Sequence, residues 1–217
     1  MKRYLFLLFV LFFTLLGSSA QQAVWNQRFQ DYFDTYKDVA IEQMLKYHIP
    51  ASITLAQGVL ESGAGRSELT RKANNHFGIK CHGWTGRKSY HDDDELGECF
   101  RAYNSAYESY QDHSVFLTSS KRYSSLFSLK LTDYKGWARG LKACGYATSP
   151  TYATRLIEII ELYKLYRYDK ERHVDKYQLE QVRHQGGILR QVHEFNNNYY
   201  VVARKGDTFR SIAKDVD

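Results

Sequence analysis

The sequence predicts a mainly α fold (α+β), a helical domain with a small β-hairpin lobe beside a cleft. Apolar residues recur at helical spacing on both sides of the chain's middle, from Trp25 to Leu60 and from Ser105 to Tyr163. Between them, Phe77 to Tyr103 is rich in glycine, aromatics and charge, with turn residues at Gly83, Gly86 and Asp92-Asp93-Asp94; this reads as two or three strands. The length, 217 residues, suffices for one substantial core and a small appendage.

The first twenty residues read as a secretory signal. Lys2 and Arg3 form a charged start, Tyr4 to Leu16 an apolar run too short to span a membrane comfortably, and Gly17-Ser18-Ser19-Ala20 a small-residue cleavage site. Removing Lys2 and Arg3 from the 30 basic residues leaves 28 against 24 acidic ones, a net of +4. That mild excess suits a polymer bearing carboxylates, and equally an ordinary exported protein. It gives no reason to expect a nucleic-acid partner, or any membrane contact beyond the signal. A monomer is expected.

Trp25 to His48 reads as helix in two pieces, one marked by Phe29, Tyr32 and Phe33, the other by Val39, Ala40, Met44, Leu45 and Tyr47. A second helix follows, then a short one around Leu69 to Ala73. After the β-lobe, Ser105-Ala106-Tyr107-Glu108 matches a capping box and starts a helix to about Thr118. A short turn covers Tyr123 to Phe127. Asp133 caps a helix with Trp137, Ala138, Leu141 and Cys144, ended by Gly145. Ser149 and Pro150 open the last long helix, with Tyr152, Leu156, Ile159, Ile160 and Tyr163 on one face. From Asp169 the chain becomes strongly charged and loses periodicity, so a linker is expected over 169–198.

Three cysteines in an exported chain allow one bridge and leave one thiol. Cys81 and Cys99 are placed for a cross-strand disulfide if they flank a hairpin, and Cys144 reads as a buried small apolar residue. No His or Cys spacing resembles a metal site, and no cofactor is expected.

The helix over Pro50 to Glu61 carries the chemistry. Pro50 suits its first turn, and Ser62, Gly63 and Gly65 stop it. Ile53, Leu55, Ala56, Val59 and Leu60 form an apolar arc; Thr54, Gln57, Gly58 and Glu61 form a narrow polar stripe expected to line a cleft. Glu61 lies in the last turn, where the helix dipole disfavours a carboxylate. Most glutamates are simply solvated. An apolar setting, however, holds a carboxylic acid neutral near pH 7, as a proton donor to a poor leaving group requires.

Leu60-Glu61-Ser62-Gly63, then Asn75-His76-Phe77-Gly78-Ile79-Lys80, then Gly145-Tyr146-Ala147-Thr148, in this order, resemble the glucosaminidase family of bacterial cell-wall hydrolases (glycoside hydrolase family 73), over about Asp34 to Tyr168. The resemblance implies a lysozyme-like catalytic domain over 21–168, acting on peptidoglycan glycan strands as an endo-β-N-acetylglucosaminidase, between N-acetylglucosamine and N-acetylmuramic acid. It implies Glu61 as general acid; Gln57 and Ser62 are neighbours on the sequence expected to orient it. The second carboxylate is expected on the β-lobe, at Asp92 or Asp93 ahead of Glu98, unless the substrate's N-acetyl group is the nucleophile with Tyr146 stabilising the reacting centre. Tyr152 is a further cleft candidate, and Asn75 and Phe77 shape the junction between lobes, with Gln57 among the substrate-binding positions. A lytic transglycosylase and a non-catalytic wall-binding protein are the alternatives. Tyr199 to Ala213 resembles the opening of a LysM module, which binds N-acetylglucosamine polymers. The stretch 199–217 holds only its start, as in a fragment of a longer protein, and should neither order well nor bind sugar.

Overall fold

A computed structural model of the chain describes residues 24–92, 96–184, 193–195, 198–201, 203 and 212. The signal at 1–20, Asp93 and Asp94, and most of the LysM-like stretch lie outside the described residues.

The first helix, α1 (Gln27–Tyr47), starts at Asn26, whose side chain accepts the Arg28 N–H at 2.9 Å. It runs unbroken, where two pieces are expected from sequence. No glycine or proline interrupts it, and Tyr32, Phe33, Tyr36, Val39, Ala40 and Met44 form one continuous buried stripe. The polar position between the two apolar groups, Asp38, is itself buried and accepts the backbone N–H of Asp175 at 2.8 Å. Such a partner is invisible to local periodicity.

Helix α2 (Ala51–Glu61) follows, with Pro50 at its N-cap. Every residue from Ala51 to Val59 is buried, including Ser52, Thr54, Gln57 and Gly58. The polar stripe expected to face a cleft is therefore covered, and α2 is a central helix enclosed on all sides. At its start, Asp169 receives the Ser52 N–H at 2.8 Å and the Ser52 hydroxyl at 2.7 Å. In its third turn, Gly58 faces the hydroxyls of Tyr32 and Tyr110.

Around α2 pack α1, α4 (Ala106–Ser119), α5 (Tyr134–Ala143) and α6 (Tyr152–Leu162), with a short α3 (Glu68–Ala73) leading to the β-lobe. Ser105 caps α4 by accepting the Glu108 N–H at 3.3 Å, and Asp133 caps α5 through the Gly136 N–H at 2.9 Å. Two 3₁₀ helices, Lys121–Ser128 and Leu165–Lys170, connect the long elements. Cys144 closes α5 as a half-buried free thiol.

The β-lobe is an antiparallel pair, β1 (Lys88–His91) with β2 (Glu98–Arg101), in the register Lys88↔Arg101 to His91↔Glu98. The segment before it adds a partial third strand: Cys81 N–H bonds Cys99 O, and Arg101 N–H bonds Ile79 O. Cys81 and Cys99 are joined by a disulfide across this pairing. Arg101 and Tyr103 both bond the Asp112 carboxylate, at 2.8 and 2.7 Å, and so tie the lobe to α4.

A linker is expected from Asp169, but the chain stays on the helical body as far as His184. Asp169 is buried under α2, and α7 (Lys176–His184) lays Leu179 and Val182 into the core. Arg183 anchors α7 by meeting Glu42 at 2.7 Å and the Tyr107 hydroxyl at 3.1 Å. Leu179 and Val182, with an exposed Tyr177 and six polar residues around them, are too few to signal a packed helix from sequence. Beyond it, β3 (His193–Phe195) pairs antiparallel with β4 (Asn198–Tyr200). Among the described residues, no helix is long and apolar enough to cross a membrane.

Candidate active site

The end of α2 is tied down by a tight knot of hydrogen bonds. Ser62 turns its hydroxyl inward to donate to Gly58 O at 2.5 Å, and Ser62 Oγ itself accepts the Gly65 N–H at 2.8 Å. Ala64 N–H returns to Val59 O and Ser67 N–H to Ser62 O. Gly63, Ala64 and Gly65 all take left-handed backbone conformations, so the chain reverses within three residues. Glu61 sits on the one face this knot leaves open. It is exposed, while the residues on both sides are half-buried or buried.

Glu61 opens onto a cavity of about 510 Å3 between the helical body and the β-lobe. Phe77 and Gly78 floor it. Tyr123, Tyr146, Ala147 and Thr148, with Phe116 and Arg122, form the helical wall, and Ile79, Lys80, His82, His91 and Phe100 form the lobe wall. The aromatic rings are held by one another. Phe77 stacks on buried His113 at 3.9 Å, and Tyr146 stacks on Tyr152 at 5.8 Å and leans on Tyr123 at 6.2 Å. Such rigid faces with polar edges fit sugar rings.

Tyr152 lies behind Glu61. Its hydroxyl is hydrogen-bonded to the Glu61 carboxylate and accepts the Gln57 side-chain N–H at 3.0 Å. Burial, together with the Glu61 charge, pushes the Tyr152 hydroxyl far above the usual tyrosine range. Tyr146 is raised likewise, first by burial, then by Tyr152 and Glu61. Both phenols therefore stay protonated at any working pH and present donors toward the carboxylate region.

The structure brings Glu61, Phe77 and Tyr146 together on the cavity and redistributes the other expected residues. Gln57 is fully buried and donates to the Tyr152 hydroxyl that in turn meets Glu61. Tyr152 is 6% exposed and supports the cavity from beneath. Asn75 is a clamp: its oxygen accepts from Phe77 and Ile79 N–H, and its nitrogen donates to Ile79 O and Arg101 O. Its hydrogen-bonding capacity is spent on the backbone of the lobe junction. Asp92 caps its own turn through the Gly97 N–H at 2.8 Å and lies outside the cavity lining. Glu98 pairs with Lys80 at 2.7 Å. Asp93 lies outside the described residues, as do Asp94 and Glu95. Among the described residues, Glu61 is the one carboxylate on the cavity wall, and no cluster of His, Cys, Asp or Glu is arranged to hold a metal ion.

Sequence reasoning misses Arg122, Tyr123, His82 and His91. Lys121-Arg122-Tyr123 carries no motif, and only the folding of its 3₁₀ helix against residues 145–148 brings it to the cleft.

Residues 37–165 match the sequence model of the family described as glucosaminidase, mannosyl-glycoprotein endo-beta-N-acetylglucosaminidase. The exo-glucosaminidase LytG of Bacillus subtilis is 34% identical over 181 residues, an alignment covering 75% of this chain and 62% of that protein. The peptidoglycan hydrolase FlgJ of Vibrio parahaemolyticus is 29% identical over 60% of this chain and 46% of its own length. The chain thus spans less than two thirds of either relative. Among solved structures, the catalytic domain of the autolysin Auto from Listeria monocytogenes aligns with a TM-score of 0.56 at 29% identity, over 69% of this chain and 92% of that one.

Proposed function

The chain belongs to the glucosaminidase family, and from that premise we propose that it hydrolyses the glycan strand of peptidoglycan as an endo-β-N-acetylglucosaminidase, between N-acetylglucosamine and N-acetylmuramic acid. The observation that carries this reading is the placing of Glu61. A single exposed carboxylate ends an otherwise enclosed helix and opens onto an aromatic-walled cavity.

Glu61 donates its proton to the glycosidic oxygen as the C1–O bond breaks. With Glu61 exposed, the apolar cover that a proton donor needs comes from the bound sugar itself. Tyr152, steadied by Gln57, holds the carboxyl in place. The cavity lining supports substrate assistance for the other half of the reaction. The N-acetyl carbonyl oxygen attacks C1 as the leaving group departs, and water then opens the resulting ring and returns a proton to Glu61. The Tyr146 hydroxyl faces the reacting centre and stabilises its charge. A hairpin carboxylate closing over substrate is the competing route. Asp92, bound to its own turn, does not favour it; Asp93 stands as its candidate.

The test is product analysis of purified cell walls digested by the protein. Mass spectrometry should show fragments with a reducing N-acetylglucosamine end. Anhydro sugars would identify a transglycosylase, and absence of fragments would identify a wall-binding protein. Export to the cell envelope belongs to the same proposal and follows from the substrate.

A further inference from the structure

We propose that Arg122 is a specificity residue that binds the carboxylate-bearing peptide substituent of the glycan, so that the cleft selects anionic over neutral N-acetyl sugar polymers. This rests on the reading of the chain as a peptidoglycan hydrolase.

Arg122 is the second residue of the 3₁₀ helix on the helical wall of the cavity. Its guanidinium lies 4.9 Å from the centre of the Tyr123 ring, and Nη2 donates to the Tyr123 hydroxyl at 2.5 Å. Tyr123 is itself fully buried, which fixes the plane of the fork. Gly145 passes beside it; a Cβ there would stand 4.0 Å from Nη1. Among the described residues, no carboxylate pairs with Arg122, although seven other Lys, Arg and His side chains of the described residues do form such pairs. An immobilised, exposed guanidinium with unused donors matches a carboxylate in two-pronged geometry.

The rest of the lining agrees. Lys80 stands on the opposite wall with His82 and His91, against the single described carboxylate of Glu61. Lys80 is already met by Glu98 at 2.7 Å, so the guanidinium of Arg122 is the cation left to meet a carboxylate on the substrate, an interaction a neutral glycan does not offer. Tyr146 lines the cavity beside it for the sugars, so Arg122 is positioned for what hangs from them.

Initial rates are measured on native purified walls and on the same walls after carbodiimide amidation of their carboxylates. Arg122→Gln should raise the apparent KM on native walls by about ten- to hundredfold with kcat retained. Arg122→Lys, which keeps the charge and loses the fork, should fall between. On amidated walls the three proteins should have the same KM. Sedimentation of Glu61→Gln protein with each wall reads binding without turnover, and should show the same dependence on Arg122. Equal KM for wild type and Arg122→Gln on native walls would overturn the proposal while leaving the hydrolase reading intact. Failure of the wild type to cleave either wall would instead contradict the hydrolase reading, and the sedimentation series would still decide the role of Arg122.

Discussion

Gly58→Ala tests whether the helix that carries Glu61 is held by its contact with the Tyr32–Tyr110 pair. In an open helix interior the change would stabilise by about 1 kcal/mol. Here the new Cβ would meet the Tyr32 hydroxyl at 2.5 Å and the Tyr110 hydroxyl at 3.1 Å. Tyr32 has nowhere to go: it is buried, its hydroxyl shares a hydrogen bond with His76 Nδ1 at 2.9 Å and accepts one from Tyr110 at 2.9 Å. Overpacking costs about 1–3 kcal/mol. Displacing the hydroxyl leaves a buried polar partner unmatched, for about 1–3 kcal/mol more. Less the helix-propensity gain, the net loss centres on about 3 kcal/mol, a fall in Tm of about 6–12 °C for a domain of this size. Urea unfolding of Gly58→Ala, Tyr32→Phe and the double variant closes the cycle. Tyr32→Phe removes the colliding oxygen, so the double variant should lose at least about 1 kcal/mol less than the sum of the singles. A Tm equal to or above wild type for Gly58→Ala, or strict additivity, would refute the reasoning.

Burial raises the Asp169 carboxyl to about 6 against the two Ser52 hydrogen bonds that lower it. A raised carboxyl contributes stability that is complete below its unfolded value near 3.8 and is lost as pH rises through about 6. Asp169→Asn, which keeps the Ser52 N–H partner, should therefore gain up to about 3 kcal/mol over wild type at pH 7.5 and nothing at pH 3.5. A pH-independent difference in urea midpoints would contradict this. Burial drives His76 and His113 down to about 3, the opposite sign: their contribution is present above pH 6.5 and falls away as pH drops towards 3. Single alanine changes at Asp92 and Glu98 should leave turnover within a few-fold, whereas Tyr146→Phe should lower kcat by about 10²-fold. A crippled Asp93→Ala beside a mild Tyr146→Phe would instead place the second group on the hairpin.

Much of the fold is legible because its signals are local. Pro50 and the Ser62-Gly63 stop delimit α2, Ser105 and Asp133 cap α4 and α5, and the composition change at Phe77 marks the lobe. What periodicity cannot show is which second element covers a face. Thr54, Gln57 and Gly58 read as a polar stripe, yet the Tyr32–Tyr110 pair, Tyr152 and the rest of the helical body enclose them. Nothing local marks Asp38 and Asp169 as buried, because their partners, Asp175 and Ser52, lie more than a hundred residues away. The site divides in the same way. Glu61, Phe77 and Tyr146 stand in motifs, but Arg122 reaches the cavity only through tertiary packing. Asn75 stands in a motif as well, and the fold gives its amide four backbone hydrogen bonds that the motif alone does not reveal.

The most direct test of the central claim is the rate at which Glu61→Gln releases reducing ends from purified cell walls. Glutamine keeps the size and most of the hydrogen bonding at this exposed position but cannot deliver a proton. Release should fall by about 10²–10⁴-fold, with Tm and wall binding close to wild type. Turnover within a few-fold of wild type would contradict Glu61 as the proton donor, and with it the reading of this cavity as a glycosidase active site.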